Sequence, residues 1–259
     1  MDMRGRVALV TGGAGHLGQA YCEALAEFGA DVCILDLCAD RAQQRVKELS
    51  QQFGSRFSAV AADITREEQV TSAIDQAIAI HGRLDILVNN AAYPPNDLAK
   101  DGRPLTQQGL GQWQANLDVI LTGTFLVTRA CVPHLARTAH SAVVNVASIY
   151  GLVGPDMRLY EGTDMANPAH YAAAKGGIVQ LTRYLATTLA PTVRVNCIAP
   201  GGIRGNYPES FVQRYCERTP LGRMATEGDL KGAMIFLASD MSEYMTGQVV
   251  AVDGGWTTW

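Results

Sequence analysis

No run of apolar residues in this 259-residue chain approaches the ~20 needed to cross a bilayer. The first residues, MDMRGRVALVTGG, lead into glycines rather than into an apolar core with a small-residue cleavage site, so no secretory leader is expected. The six cysteines (Cys22, Cys33, Cys38, Cys131, Cys197 and Cys216) include no C-x-x-C pair and no metal-ligand spacing, and no metal is expected. Several lie in apolar patterns, where a free thiol acts as a small hydrophobe, and a reducing cytoplasm is the expected compartment. Basic residues are in deficit. Lys and Arg number 21 against 25 Asp and Glu, for a net charge of −4, and no cationic stripe offers itself to nucleic acid. Repeats, low-complexity tracts and flexible linkers are missing too. With 47% apolar and 18% charged residues, the whole of 1–259 suits one globular α/β domain.

What is present is alternation of short apolar runs with helical patterns. RVALVTG (6–12), DVCILDL (31–37), RFSAVAAD (56–63), LDILVNN (84–90), SAVVNVAS (141–148), VRVNCIAP (193–200) and QVVAVDGG (248–255) read as strands. Most are continuously apolar, the pattern of strands covered on both faces. Between them, Leu17, Tyr21, Leu25 and Phe28 repeat at helical spacing and stop at Gly29. Thr65 with Glu68 and Thr226 with Asp229 read as capping boxes, and the helix begun at Thr65 ends near Gly82. Asn167 and Pro168 read as an N-cap and first helical residue, with an end forced before Pro191. The expected fold is a doubly wound, mostly parallel sheet of about seven strands with helices on both faces.

Directly after the first strand stands TGGAGHLG, in which Gly13, Gly15 and Gly18 satisfy G-x-G-x-x-G at a strand–turn–helix junction. Glycines there let the backbone approach a pyrophosphate, whose charge the helix N-terminus receives. Asp36 closes the second strand, placed to accept hydrogen bonds from the adenosine ribose hydroxyls. No basic residue follows it directly in DLCAD, so NAD is expected over NADP. Asp63, ending the third strand, is a weaker candidate near the adenine.

Tyr171 and Lys175 are four apart on a predicted helix and share a face. An ammonium ~4 Å from a phenol at an effective dielectric of ~20 is worth up to ~4 kcal/mol, enough to lower the phenol pKa by up to ~3 units. Such a phenol exchanges protons with an alcohol or carbonyl near neutrality. Ser148, at a strand's carboxyl end, is placed to hydrogen-bond the reacting oxygen.

These motifs in this order (VTGGAGHLG, LVNNAA, NVAS, YAAAK, VRVNCIAPGGI and YMTGQVVAVDGG) resemble the short-chain dehydrogenase/reductase family along the whole chain, in its shorter branch with a variant glycine motif. The resemblance implies a proton-handling set of Asn116, Ser148, Tyr171 and Lys175. In it Tyr171 is the general acid/base and Lys175 also holds the nicotinamide ribose. Ser148 orients the substrate oxygen, and Asn116 links the lysine to water. It further implies cofactor contacts at Gly12, Gly15, His16, Leu17, Asp36, Asp63, Ile64, Asn89, Pro200 and Ile203, besides Tyr171 and Lys175. Three departures stand out. His16 replaces a common glycine, Ala92 ends NNAA, and Arg204-Gly205 follow PGGI where a threonine is frequent.

The stretch PDMRLYEGTDMANPAH lies within residues 152–169, an insert between Ser148 and Tyr171 that is longer than in most relatives. It is expected to project at the active-site rim, its polar groups suited to a polyhydroxylated substrate, although a solvated loop or subunit contact fits as well. Arg158, His170 and Arg204 are substrate candidates, the arginines for a carboxylate or phosphate. Residues 204–224 are expected to form a lid. Trp256 and Trp259 near the chain end suggest a subunit interface, and the family implies a tetramer or dimer. The expectation is an NAD(H)-dependent oxidoreductase acting on a sugar-like secondary alcohol or ketone. Its rivals are an NAD-retaining sugar epimerase or dehydratase and a non-catalytic NAD-binding module.

Overall fold

The structure, a computed structural model, describes residues 1–93 and 103–259. Strand β1 (Val7–Thr11) passes through the glycine turn into helix α1 (His16–Glu27). Then come β2 (Asp31–Asp36), α2 (Ala39–Gln52), β3 (Phe57–Ala61), α3 (Glu67–His81) and β4 (Ile86–Asn89). Past residue 102 lie α4 (Leu110–Leu117), a π-helical turn (Asp118–Thr122), α5 (Gly123–Leu135), β5 (Ser141–Val146) and α6 (Ala169–Leu189). The chain continues through β6 (Val193–Pro200), α7 (Glu209–Arg218), α8 (Gly228–Ala238) and β7 (Val249–Val252).

All seven strands pair in parallel, in the order β3-β2-β1-β4-β5-β6-β7. The order reverses between β1 and β4, which opens a crevice at the carboxyl ends of the strands. Alternate residues of each strand feed different cores. Ala8, Val10, Val32 and Ile34 pack with α1 and α8, whereas Leu9, Cys33, Leu35 and Leu87 pack with α3, α5 and α6. Two buried faces are why the strand sequences read as continuous apolar runs.

Helix ends follow the sequence less closely. Gly29 (φ +92°) stops α1 and Gly82 (φ +78°) stops α3, as the pattern suggests. The Thr65–Glu68 box does not form. Thr65 instead donates its amide and hydroxyl to Asp63 Oδ1 (2.9 and 2.7 Å), and the N-cap falls on Arg66. Helix α6 starts one residue later than expected, with Pro168 at the N-cap. Asp229 accepts from the Thr226 amide at 2.7 Å, the reciprocal half of the second box. The continuous helical stretch 110–135 is long and apolar enough to cross a membrane by length and composition, although polar residues interrupt its sequence. It lies on the sheet, with Leu126, Val127, Cys131 and Leu135 in the core.

Trp256 departs furthest from expectation. It is 1% exposed, stacked on Tyr215 and edge-on to Tyr150, so it fills a core beneath α7 and serves no subunit contact. Trp259 is the exposed one, its indole N–H donating to the Arg218 carbonyl (3.2 Å). Trp256→Ala is expected to cost about 3–5 kcal/mol in urea unfolding, and Trp259→Ala less than about 1 kcal/mol.

Candidate active site

The carboxyl end of β5 delivers Ser148, and the next turn crosses α6 so closely that a Cβ on Gly151 would lie 2.6 Å from the Lys175 carbonyl oxygen. Only glycine permits that crossing, and it leaves Ser148 near enough to the Tyr171 phenol to act on its ionisation. The Ser148 hydroxyl also accepts the Tyr150 amide at 3.2 Å. Lys175, one helical turn beyond Tyr171, is 3% exposed and donates from Nζ to the Val146 carbonyl at 2.7 Å. Its ammonium lies 5.9 Å from the Tyr171 ring centroid.

The electrostatics correct the sequence argument. Burial pushes the Tyr171 phenol above its ordinary value, with the Ser148 hydrogen bond acting downward and Tyr207 and Tyr160 acting upward. Burial also lowers the Lys175 ammonium to about 8, opposed by Cys197 beneath it. Desolvation disfavours both charged forms, and at this separation the cation does not offset it.

Asn116 sits on α4 just before the π-helical turn, fully buried. Its Nδ2 donates to the Gln112 carbonyl (3.0 Å), and its Oδ1 has no protein partner among the described residues. A buried acceptor of this kind suits an internal water.

The nucleotide half is built from main chain. A Cβ on Gly18 would fall 2.1 Å from the Gly12 carbonyl oxygen, so α1 packs directly on the loop. Gly15 is the N-cap, no side chain caps α1, and its first turn holds no acid, which leaves its positive end for an anion. The loop therefore fits the pyrophosphate of a dinucleotide. Leu17 packs into the core beside it.

Asp36 is 4% exposed and accepts from the Ala14 amide (3.2 Å) and the Cys38 amide (3.1 Å). It also pairs with Arg41 at 3.0 Å, so a basic residue does reach this carboxylate, folded back from the first turn of α2. His16, the first residue of α1, is largely exposed. Its Nε2 pairs with Glu227, ahead of α8. Asp63 caps its own turn through Thr65, and Ile64 is buried against Gly123. Asn89 donates both Nδ2 hydrogens inward, to Thr128 and Asn145 (2.9 Å each), and Asn145 donates to Thr182 (2.9 Å). This side chain ties the sheet to α5 and α6 and does not extend into the crevice. Pro200 ends β6, and Ile203 bridges to Ala225.

On the substrate side the insert keeps Arg158, Glu161 and Asp164 exposed and turns two other side chains inward. Leu159 and Tyr160 are buried (3% and 8% exposed) against Phe211 and Val212 of α7. Arg158 is bidentate to Asp156 (2.9 and 2.7 Å), so its charge is neutralised within the insert. Arg204 is exposed, 3.7 Å from Glu209. His170 is buried on α6 beside Tyr171. The 204–224 segment is docked through Phe211, Val212 and Tyr215.

A family model described as enoyl-(acyl carrier protein) reductase matches residues 12–257. The cis-4-hydroxycyclohexanecarboxylate dehydrogenase of Sinomonas cyclohexanicum is 36% identical over 97% of this chain and 96% of its own. The "Probable galactose dehydrogenase GalD" of Rhizobium meliloti (strain 1021) is also 36% identical, over 98% and 96%. Among solved structures, a gluconate 5-dehydrogenase from Burkholderia cenocepacia J2315, in complex with NADP and tartrate, superposes with a TM-score of 0.89. It is 30% identical over 100% of this chain and 97% of that one.

Lys175 titrates low in the folded protein, about 8 against an ordinary 10.5, so the unfolded chain binds the extra proton across that window. Stability therefore rises with pH from about 8 to 10.5, and below 8 the buried charge costs up to about 3 kcal/mol. Without added nucleotide, Lys175→Met is expected to resist urea better than the parent at pH 7, with the margin narrowing towards pH 10.5. A margin independent of pH contradicts this.

Proposed function

The chain belongs to the short-chain dehydrogenase/reductase family, and from that premise we propose an NAD(H)-dependent oxidoreductase acting on a secondary alcohol or ketone of a sugar or other polyhydroxylated compound. The observation that carries it is the meeting of Ser148, Tyr171 and Lys175 at the carboxyl end of β5. The nicotinamide, when bound, gives or takes the hydride. The protein handles the proton and the positions. Tyr171 passes a proton between its phenol oxygen and the substrate oxygen, while Ser148 hydrogen-bonds the same centre. Lys175, lowered to about 8 by burial, would hold the nicotinamide ribose and exchange a proton through a water at Asn116 Oδ1.

Support for NAD comes from Asp36, whose carboxylate is fixed by two main-chain amides and presents like charge to a 2′-phosphate. Arg41 moderates that repulsion. Support for a polyhydroxylated substrate comes from the phenols of Tyr150, Tyr160 and Tyr207 near Tyr171, and from the galactose and gluconate enzymes among the relatives. Leu110, Phe125 and Tyr184, exposed on α4, α5 and α6, support a homo-oligomer. Six free thiols support a reducing, cytoplasmic setting.

Tyr171→Phe should lower turnover at least about 10²-fold while fluorescence titration finds NADH affinity within about twofold of the parent. Turnover close to the parent's removes Tyr171 from the proposed role. The parent should bind NADH more tightly than NADPH, and the reverse order would contradict the cofactor assignment; Arg41→Ala should weaken NADPH more than NADH, and equal losses would remove Arg41 from the 2′-phosphate.

A further inference from the structure

Arg214 belongs to no motif in the sequence. It stands on the α7 face turned towards the insert, and its Nη1 donates to two insert carbonyls, Leu159 (3.2 Å) and Glu161 (2.6 Å). These two residues bracket Tyr160, at the end of a short 3-10 turn (Met157–Tyr160). The Tyr160 hydroxyl is 3.1 Å from that of Tyr150, which follows Ser148 by two residues. The Tyr160 ring packs on Phe211 of α7 at 5.3 Å, and Tyr207 packs on the same ring at 5.3 Å. A second tie runs parallel to the first. Arg218 lies 4.6 Å over the Trp256 ring and 3.6 Å from Asp156, the residue that caps the 3-10 turn.

We propose that Arg214 is a substrate-positioning residue, which fastens the 157–161 turn to α7 and so fixes the Tyr160 phenol in the wall beside Tyr171. The chemistry of the tie explains the residue type. A planar, permanently charged guanidinium offers several donors, and one of them reaches both carbonyls. Those carbonyls stand at the end of the 3-10 turn and just past it, where no main-chain donor among the described residues reaches them. Arg214 therefore supplies a hydrogen bond the turn lacks, from the element that also bears Phe211. Without it the backbone on both sides of Tyr160 loses its anchor, whereas Ser148, Tyr171 and Lys175 are held by β5 and α6 and keep their places. The expected consequence falls on substrate binding more than on the chemical step, and not on the nucleotide. This rests on the oxidoreductase reading above.

The test uses the full-length protein, with D-galactose, D-gluconate and cis-4-hydroxycyclohexanecarboxylate as probes and the best-oxidised of them for kinetics. Arg214→Ala should raise KM about tenfold, with kcat changed less than about threefold and NADH affinity within about twofold by fluorescence titration. Tyr160→Phe should also raise KM. Adding it to Arg214→Ala should then cost less than about twofold more, since one residue acts through the other. Arg214→Lys should recover part of the loss. Amide hydrogen exchange at 157–161 should quicken in Arg214→Ala, while β5 and α6 keep their protection. KM within about twofold of the parent, or effects of the two substitutions that multiply independently, overturns the proposal. Should the parent oxidise none of the three probes, the substrate reading fails by itself. Exchange at 157–161 then decides the tie, and unchanged protection in Arg214→Ala overturns it.

Discussion

The close crossing of the β5–Ser148 turn over α6 is the constraint on which the site depends. At Gly151 the two backbones come within a distance that no side chain tolerates. Because of it, one helical turn of α6 faces the strand end from which Ser148 emerges, and the Lys175 ammonium is driven to the Val146 carbonyl, out of water. The burial that positions these groups also opposes their charging, lowering the lysine and raising the tyrosine. A site of this kind holds its proton carriers close to the point of exchange, with the hydrogen bonds of Ser148 and Val146 partly offsetting the loss of water.

Local signals survived the passage from sequence to structure well. Continuous apolar runs became strands because both sheet faces are covered, and the glycine spacing became a turn onto α1. The Tyr171–Lys175 spacing put both on one side of α6. What escaped was pairing between residues that local pattern does not connect. Arg41 returns to Asp36 only because α2 starts where β2 ends, which DLCAD does not show. Asn89 and Asn145 look like polar interruptions in apolar strands. Their meaning lies in partners 37 to 56 residues away, which join four buried polar side chains in one run of hydrogen bonds. Trp256 looked like terminal surface because nothing nearby in the chain announces the α7 core that receives it.

The insert shows why composition misleads about a site. Its abundance of charge suggested groups waiting for a substrate. Asp156, however, is held at about 2 by Arg158 and reached by Arg218, while the residues that face inward are Leu159 and Tyr160. Exposed pairs of this sort contribute little to stability. Their effect here is to fix the ends of a short turn. The groups that act on Tyr171 are the Ser148 hydroxyl and the phenols of Tyr160 and Tyr207, which discriminate by hydrogen-bond geometry.

The two halves of the crevice are therefore built on different physical footings. The nucleotide half rests on main-chain amides and glycine contacts, which side-chain substitution elsewhere leaves alone. The substrate half rests on side chains, Arg214 and Arg218 above all, joining a turn to α7. Sequence change can remodel the second without disturbing the first, which is how one sheet comes to serve many chemistries. Relatives of equal identity to this chain, one named for a hydroxycyclohexanecarboxylate and one for galactose, are consistent with that division. It follows that overall identity carries information about the family's oxidoreductase chemistry, whereas under the proposal above substrate choice is to be read from the contacts between the 152–169 segment and α7.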